Sequence, residues 1–168
     1  VFHLAALARI QPSFERPQET VDINTRGTAL VCEFARKNGA SVIYAGSSSF
    51  YAGVYLNPYS FTKWQGEEVC KMYSKVYGLS TCIARFFNVY GIRHLRTGPY
   101  ATVVGIFEDQ IINDQSLTIT GTGEQRRDFT HVSDIAKGLI SMSQKKRDGE
   151  VFNLGTGRNH SINELAAM

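Results

Sequence analysis

The order of apolar and polar positions in the first half of the chain predicts strands and helices in strict succession. Short apolar runs mark the strands, and apolar residues at helical spacing mark the helices between them. Gly39 and Gly78 supply stop signals where the helices end. The predicted elements are a strand at 1–6, a helix at 17–38, a strand at 41–45, a helix at 58–77 and a strand at 81–86.

Strand, helix and strand joined by few other residues predict parallel strands and an α/β sheet. In such sheets the ligand lies beyond the carboxyl ends of the strands. Polar clusters follow the predicted strands at three places: after His3, at the serines after Ala45, and at Asn88. We therefore expect a functional site at this edge of the sheet.

Beyond Gly91 the pattern loosens, so we divide the chain into two regions, 1–91 and 92–168. The elements predicted in the second region are a helix at 101–113, a strand at 117–120, a helix at 133–143, a strand at 151–154 and the start of a helix at Ser161.

Composition narrows the class of protein. A net charge of +3, with 43% hydrophobic and 20% charged residues, is typical of a globular protein and gives no basic surface for nucleic acid. No stretch approaches the roughly 18 apolar residues that cross a bilayer. Cys32, Cys70 and Cys82 lie in apolar surroundings without metal-ligand spacing. They predict buried free thiols, no metal site and a cytoplasmic location.

Tyr59 and Lys63 are the first candidate catalytic residues. They are four residues apart in a predicted helix, so both side chains project from one face. A phenol is a poor base at neutral pH because its ordinary pKa is about 10. An ammonium group one turn away favours the phenolate. Such a pair also occurs on ordinary surface helices, so it does not define a site alone.

Ser47 gives this pair a context. It precedes Tyr59 by twelve residues and follows a buried strand, where its hydroxyl could hydrogen-bond the same substrate oxygen that Tyr59 deprotonates. Serine-rich loops are ordinarily turns. The combination of strand, serine and helix with Tyr-x-x-x-Lys is far more specific than either part.

Seven segments in order carry a family resemblance: His3–Ala6, Asn24–Thr28, Ser47 with Tyr51, Pro58–Lys63, Arg85–Gly91, Gly121–Phe129 with His131–Asp134, and Phe152–Gly157. They resemble successive signatures of the extended short-chain dehydrogenase/reductase family, within its NAD-dependent epimerases and dehydratases. The resemblance is closest to enzymes like UDP-glucose 4-epimerase. It implies a Rossmann-like, doubly wound parallel sheet in region 1–91 and part of a smaller substrate-binding domain in region 92–168.

The resemblance also implies roles for individual residues. Tyr59 would be the acid/base, Lys63 would favour its phenolate and hold the nicotinamide ribose of NAD, and Ser47 would steady the sugar hydroxyl. The positions that match the cofactor lining are Leu4, Ala5 and Asn24, together with Tyr59 and Lys63. The positions that match the contacts to the diphosphate of a nucleotide sugar are Asn88 and Arg127, whose amide and guanidinium suit that task.

Each of these assignments has a plainer alternative. Asn88 could cap a turn, and Arg127 could pair with Asp128 or Asp134. The small residues after His3 could simply allow close packing. Four glycines are better explained by turns than by a phosphate cradle, because no strand–loop–helix unit surrounds them: Gly121, Gly123, Gly155 and Gly157.

The chain departs from the family pattern in two ways. The Gly-rich phosphate loop and the first strands of the cofactor domain are missing, which predicts a fragment of a longer enzyme that binds no NAD by itself. The segment between Ser47 and Tyr59 is also short, which leaves the sugar preference open.

Among reactions, the resemblance favours epimerisation of a UDP-hexose through a transient 4-keto sugar. A 4,6-dehydratase is the alternative, but it needs an acid and a base where this chain has Ser48 and Ser49. A reductase or decarboxylase of the same superfamily, or a non-catalytic dinucleotide sensor, remains open. The family also implies a homodimer through helices 17–38 and 58–77.

Overall fold

A computed structural model describes residues 1–168, which form two compact units. The first unit comprises Val1–Phe86 and Ala136–Leu154, and the second comprises Phe87–Ile135 and Gly155–Met168. The predicted second region, 92–168, therefore contributes residues to both units.

The strands are β1 (Phe2–His3), β2 (Val42–Ser47), β3 (Thr81–Phe86), β4 (Asn88–Tyr90), β5 (Arg126–Arg127), β6 (Phe129–His131), β7 (Asp148–Leu154) and β8 (His160–Ser161). The helices are α1 (Ile10–Glu15), α2 (Pro17–Val21), α3 (Gly27–Lys37), α4 (Ser49–Ala52), α5 (Pro58–Tyr77), α6 (Val103–Ile112), α7 (Val132–Ser143) and α8 (Ile162–Ala167). None of these helices has the length and apolar character that a membrane crossing requires.

The first unit is built on a four-stranded parallel sheet in the order β1-β2-β3-β7. All six residues of β2 are buried. This burial is typical of a parallel strand that is covered on both faces of the sheet. The α/β class with a parallel sheet, predicted from the order of elements, is confirmed.

Helix α5 begins and ends where the sequence predicts. The Asn57 side chain accepts a hydrogen bond from Ser60 N at 2.8 Å, and Pro58 occupies the first helical position. Gly78 ends the helix with a left-handed φ of 66°. Within α5, Gly66 lets the Tyr44 ring approach, since a side chain there would overlap the Tyr44 hydroxyl.

The predicted helix at 17–38 is not one regular helix. It consists of α2, a π-helical turn over Asp22–Arg26, and α3. The buried side chain of Asn24 lies in the middle of this turn. Single π-turns inside helices are frequent at functional sites.

The predicted strand at 117–120 is wrong. The Thr118 N–H donates to Gln110 Oε1 at 3.1 Å, and Gln110 Nε2 donates to Thr118 Oγ1 at 2.7 Å. A side chain of α6 therefore takes the bond that a neighbouring strand would need.

The second unit contains two small sheets that the sequence did not reveal. β4 pairs in parallel with β6, and β5 pairs antiparallel with β8. α8 begins with a capping box, in which Ser161 and Glu164 each bind the other's backbone N–H.

Candidate active site

Ser47 and Tyr59 meet at the carboxyl end of the parallel sheet. Ser47 is the last residue of β2, and Tyr59 is the second residue of α5. The Tyr59 hydroxyl donates to Ser47 Oγ at 3.4 Å. Two hydroxyls this close together can both hydrogen-bond a single oxygen of a substrate.

A residue that the sequence did not single out fixes the start of this helix. Tyr59 N donates to Ser13 Oγ at 3.1 Å, and Ser13 Oγ donates to Ile10 O at 2.6 Å. Ser13 thereby satisfies one of the free N–H groups of the first turn of α5. Nothing in the sequence marks this serine, because its partner is 46 residues away.

Lys63 lies one turn after Tyr59 and is buried. Its Nζ lies 4.4 Å from the centroid of the Tyr44 ring, a cation–π contact. Burial lowers the pKa of Lys63 to about 8, against an opposing effect of Glu67. Burial, and then the charge of Lys63, lower the pKa of His3, whose ring nitrogen contacts Thr28 Oγ1 at 3.0 Å.

Asn24 holds the loop that follows β1. Its Oδ1 accepts from Leu7 N at 2.8 Å, and its Nδ2 donates to Leu7 O at 3.1 Å and to Thr62 Oγ1 at 3.1 Å. Leu4 and Ala5 are exposed in the same loop. Leu4 and Ala5 thus follow β1 at the carboxyl edge of the sheet, in a loop that Asn24 binds at Leu7, while their contact with a cofactor stays a prediction.

Asn88 and Arg127 belong to the second unit. Asn88, the first residue of β4, donates through N at 3.0 Å and through Nδ2 at 3.3 Å to Asp128 O. Arg127 is exposed, and its Nη1 donates to Arg126 O at 2.8 Å. Their contact with a diphosphate stays a prediction.

Asp128 secures the turn at Gly155–Gly157, and sequence reasoning considered it only as a partner for Arg127. Its carboxylate accepts from Thr156 N at 3.0 Å, Thr156 Oγ1 at 2.7 Å and Gly157 N at 2.8 Å. Burial raises the pKa of Asp128, but these bonds outweigh it and hold that pKa below the ordinary value. Gly157 in this segment has a left-handed φ of 75°, which is typical of a turn glycine.

Comparison with known proteins places this chain in a family. Residues 1–155 match the profile of the "NAD dependent epimerase/dehydratase family". The chain is 36% identical to a UDP-glucuronate 4-epimerase of Thermodesulfobacterium geofontis. The alignment covers 98% of this chain and 54% of that protein. It is 33% identical to a UDP-N-acetyl-alpha-D-glucosaminuronate decarboxylase of Bacillus cytotoxicus. That alignment covers 99% of this chain and 56% of the decarboxylase.

A solved structure is similar over the same extent. UDP-glucose 4-epimerase of Thermotoga maritima, determined with UDP-glucose, superimposes with a TM-score of 0.91 at 30% identity. The match covers 99% of this chain and 58% of that one. The chain thus spans a little more than half the length of these relatives.

Proposed function

The chain belongs to the NAD-dependent epimerase/dehydratase family, and we propose that the whole protein carrying it is a nucleotide-sugar 4-epimerase acting on a UDP-hexose. The observation that carries this proposal is the 3.4 Å contact between the Tyr59 and Ser47 hydroxyls, with Lys63 one helical turn away.

Ser47, Tyr59 and Lys63 would each have a different role toward one sugar hydroxyl. Ser47 hydrogen-bonds its oxygen and holds it beside Tyr59. Tyr59, as phenolate, takes its proton and later returns it. Lys63 supplies a positive charge from a buried position, where a charge acts more strongly than in water.

The residues present fit the nicotinamide ribose of NAD. A hydroxyl on Tyr59 and an amine on Lys63, one turn apart, are a donor set suited to a ribose diol. Leu4 and Ala5 would line the cofactor from the loop after β1. When bound, NAD supplies a reversible hydride acceptor, so that the sugar carbon can be oxidised and reduced on the opposite face.

Asn88 and Arg127 are proposed to bind the diphosphate of the substrate. Arg127 presents an exposed guanidinium, whose fork of donors matches phosphate oxygens. Asn88 is held by two bonds to one carbonyl oxygen, that of Asp128, which gives its amide a defined direction.

Ser48 and Ser49 favour epimerisation over dehydration. Elimination of water from the keto sugar needs a further acid and base beside Ser47, and serine hydroxyls do not titrate near neutral pH. Decarboxylation is the second candidate, because one relative of this chain is named a decarboxylase of a UDP-sugar acid.

The whole protein is proposed to form a homodimer through α2–α3 and α5. Large apolar side chains are exposed on these helices, among them Leu30, Phe34 and Val76. Such surfaces are typical of protein interfaces. Three buried free thiols suit a reducing compartment such as the cytoplasm.

Product analysis of the purified whole protein tests the proposed reaction. UDP-glucose and UDP-glucuronate are incubated separately, and the products are identified by proton NMR. We expect inversion at carbon 4 of one of the two sugars, and no inversion with the Tyr59→Phe variant. A 4-keto-6-deoxy product would make the protein a dehydratase, and loss of carbon dioxide would make it a decarboxylase.

A further inference from the structure

A buried ion pair lies on the same face of α5 as the candidate catalytic residues. Tyr59, Lys63 and Glu67 follow one another at four-residue intervals. Glu67 is 1% exposed, and both of its oxygens face Arg85 of β3, which is 6% exposed. Arg85 Nη2 donates to Glu67 Oε2 at 2.6 Å, and Arg85 Nε donates to Oε1 at 2.9 Å.

Net stability is a poor explanation for this pair. The desolvation of two buried charges offsets most of their attraction. Apolar residues of similar volume in the same place often give a protein that is equally stable. A planar guanidinium held by a carboxylate does, however, fix the direction of its remaining donors. What those donors hold is therefore informative.

The far side of Arg85 holds the short helix α4. Its Cζ lies 3.5 Å from the centroid of the Phe50 ring, and its Nη1 donates to the Tyr51 hydroxyl at 3.3 Å. Asn153 Nδ2 of β7 donates to the same hydroxyl at 2.8 Å. A helix of four residues has no stability of its own, so these contacts determine where α4 lies.

The position of α4 in turn sets the Ser47 hydroxyl. Ser49 N, in the first residue of α4, donates to Ser47 Oγ at 3.2 Å. Ser47 Oγ is also the atom that accepts from the Tyr59 hydroxyl. The contacts therefore connect Glu67 of α5, through Arg85, α4 and Ser47, to Tyr59 of the same helix.

We propose that Glu67, Arg85 and Tyr51 are positioning residues, which set the Ser47 hydroxyl against Tyr59 by fixing α4. This inference rests on the proposed function of Ser47 and Tyr59. Its consequence is that the Tyr51 hydroxyl, although it is four residues from Ser47 and needs no contact with substrate, controls the rate of the chemical step. Misplacement of a reacting group by about 1 Å can cost on the order of 100-fold in rate.

The chain offers a matched pair of variants for the test. Tyr51→Phe removes one hydroxyl from a residue that is 57% exposed, so the change does not threaten folding. Tyr55→Phe makes the same change in the same segment, on a ring that is 80% exposed and packs on Phe61 and Trp64. In the whole protein, both variants are compared with the unmodified enzyme for kcat, KM and melting temperature.

For Tyr51→Phe we expect a kcat lower by about 10- to 100-fold, with KM for the UDP-sugar changed less than about 3-fold. Arg85→Lys, which keeps the charge and loses the fork, should lower kcat in the same way. Tyr55→Phe should behave as the unmodified enzyme. A merely structural role predicts a lower melting temperature with an unchanged kcat, and that result would overturn the inference.

Amide hydrogen exchange provides a measurement that does not depend on the reaction. Loss of the tether on α4 should speed exchange in peptides covering 49–52 by about 3- to 10-fold in Tyr51→Phe, and leave it unchanged in Tyr55→Phe. Equal exchange in the two variants overturns the inference, whatever the protein catalyses. An unmodified protein that epimerises no UDP-sugar refutes the proposed function, and exchange then decides the positioning of α4 by itself.

Discussion

The hydroxyl of Tyr59 lies 3.4 Å from the hydroxyl of Ser47. This contact joins the first turn of α5 to the end of β2, twelve residues earlier in the chain. Ser13 and Asn57 support it, because each binds a backbone N–H of the same helical turn. The pair is therefore held in place by backbone as well as by side chains.

Replacement of Tyr59 by Phe should sharply lower turnover, while the remaining contacts, that of Lys63 among them, keep NAD bound. The change removes one ionisable oxygen and keeps the ring, and loss of a general acid/base typically costs about 100- to 10,000-fold in kcat. Rates are measured by product NMR and bound NAD by absorbance after denaturation. A near-normal rate would contradict the acid/base role of Tyr59.

Lys63 should make the protein more stable as pH rises from 8 to 10. Burial lowers the pKa of Lys63 to about 8, from an ordinary value of 10.5. Between these values the unfolded chain binds more protons than the folded chain, so the free energy of unfolding increases with pH. The contribution of this lysine from pH 8 to pH 10 is about 2 kcal/mol.

Urea unfolding of the protein and of Lys63→Met at both pH values measures this contribution. The pKa of His3, which Lys63 also lowers, lies below its ordinary value of 6.5, so His3 stays neutral from pH 8 to pH 10 and the difference between the two free energies of unfolding reports on Lys63. A difference that stays constant from pH 8 to pH 10 would show that Lys63 titrates alike in both states.

Asn24→Ala should destabilise the protein by about 1–3 kcal/mol. The variant leaves Leu7 N and Leu7 O without their partner and frees the loop that carries Leu4 and Ala5. Asn38→Ala is the control, because Asn38 makes an exposed bond at the end of α3 and should cost no more than about 0.5 kcal/mol. Equal losses of stability in the two variants would contradict the role given to Asn24.

Arg127→Ala should raise the KM for nucleotide sugars by about 10- to 150-fold. Loss of a charge-assisted contact to a diphosphate costs roughly 1.5–3 kcal/mol. Lys145→Ala removes the same charge elsewhere and should leave KM unchanged. Competition by UDP gives a direct measure of binding, and an unaltered UDP affinity in Arg127→Ala would make Arg127 structural.

Leu30→Asp should weaken the proposed dimer by at least about 10-fold. Leu30 and Phe34 are 59% and 60% exposed on α3, and burying a carboxylate between subunits has a large desolvation cost. Sedimentation equilibrium gives the dissociation constant, with Leu56→Asp, outside these helices, as control. A monomeric unmodified protein would refute the proposed dimer.

Secondary structure was predicted best where residues close together in the sequence determine it. α5 is correct at both ends because Pro58 and Gly78 are local capping signals. The π-turn around Asn24 could not be predicted, because the apolar spacing continues on both sides of it. The segment at 117–120 was misassigned because the side chain that binds its backbone lies on another element.

The candidate site shows the same division. Ser47, Tyr59 and Lys63 form a pattern of short range, which together with the family resemblance predicted a site, and the structure brings the hydroxyls of Ser47 and Tyr59 together. Ser13 could not be found in this way, because its partner is 46 residues away. Residues that support a site are selected by three-dimensional contact, and few of them leave a mark in the sequence.

Cys32 on α3 and Cys70 on α5 are fully buried, with their sulfur atoms 3.9 Å apart. An alkylating reagent can reach either thiol only when the two helices have moved apart. The rate at which the native protein loses these thiols therefore counts the openings of that helix pair. Since the proposed dimer would form on the same helices, this rate would fall as the protein concentration rises, and assembly could be followed through the rate of alkylation.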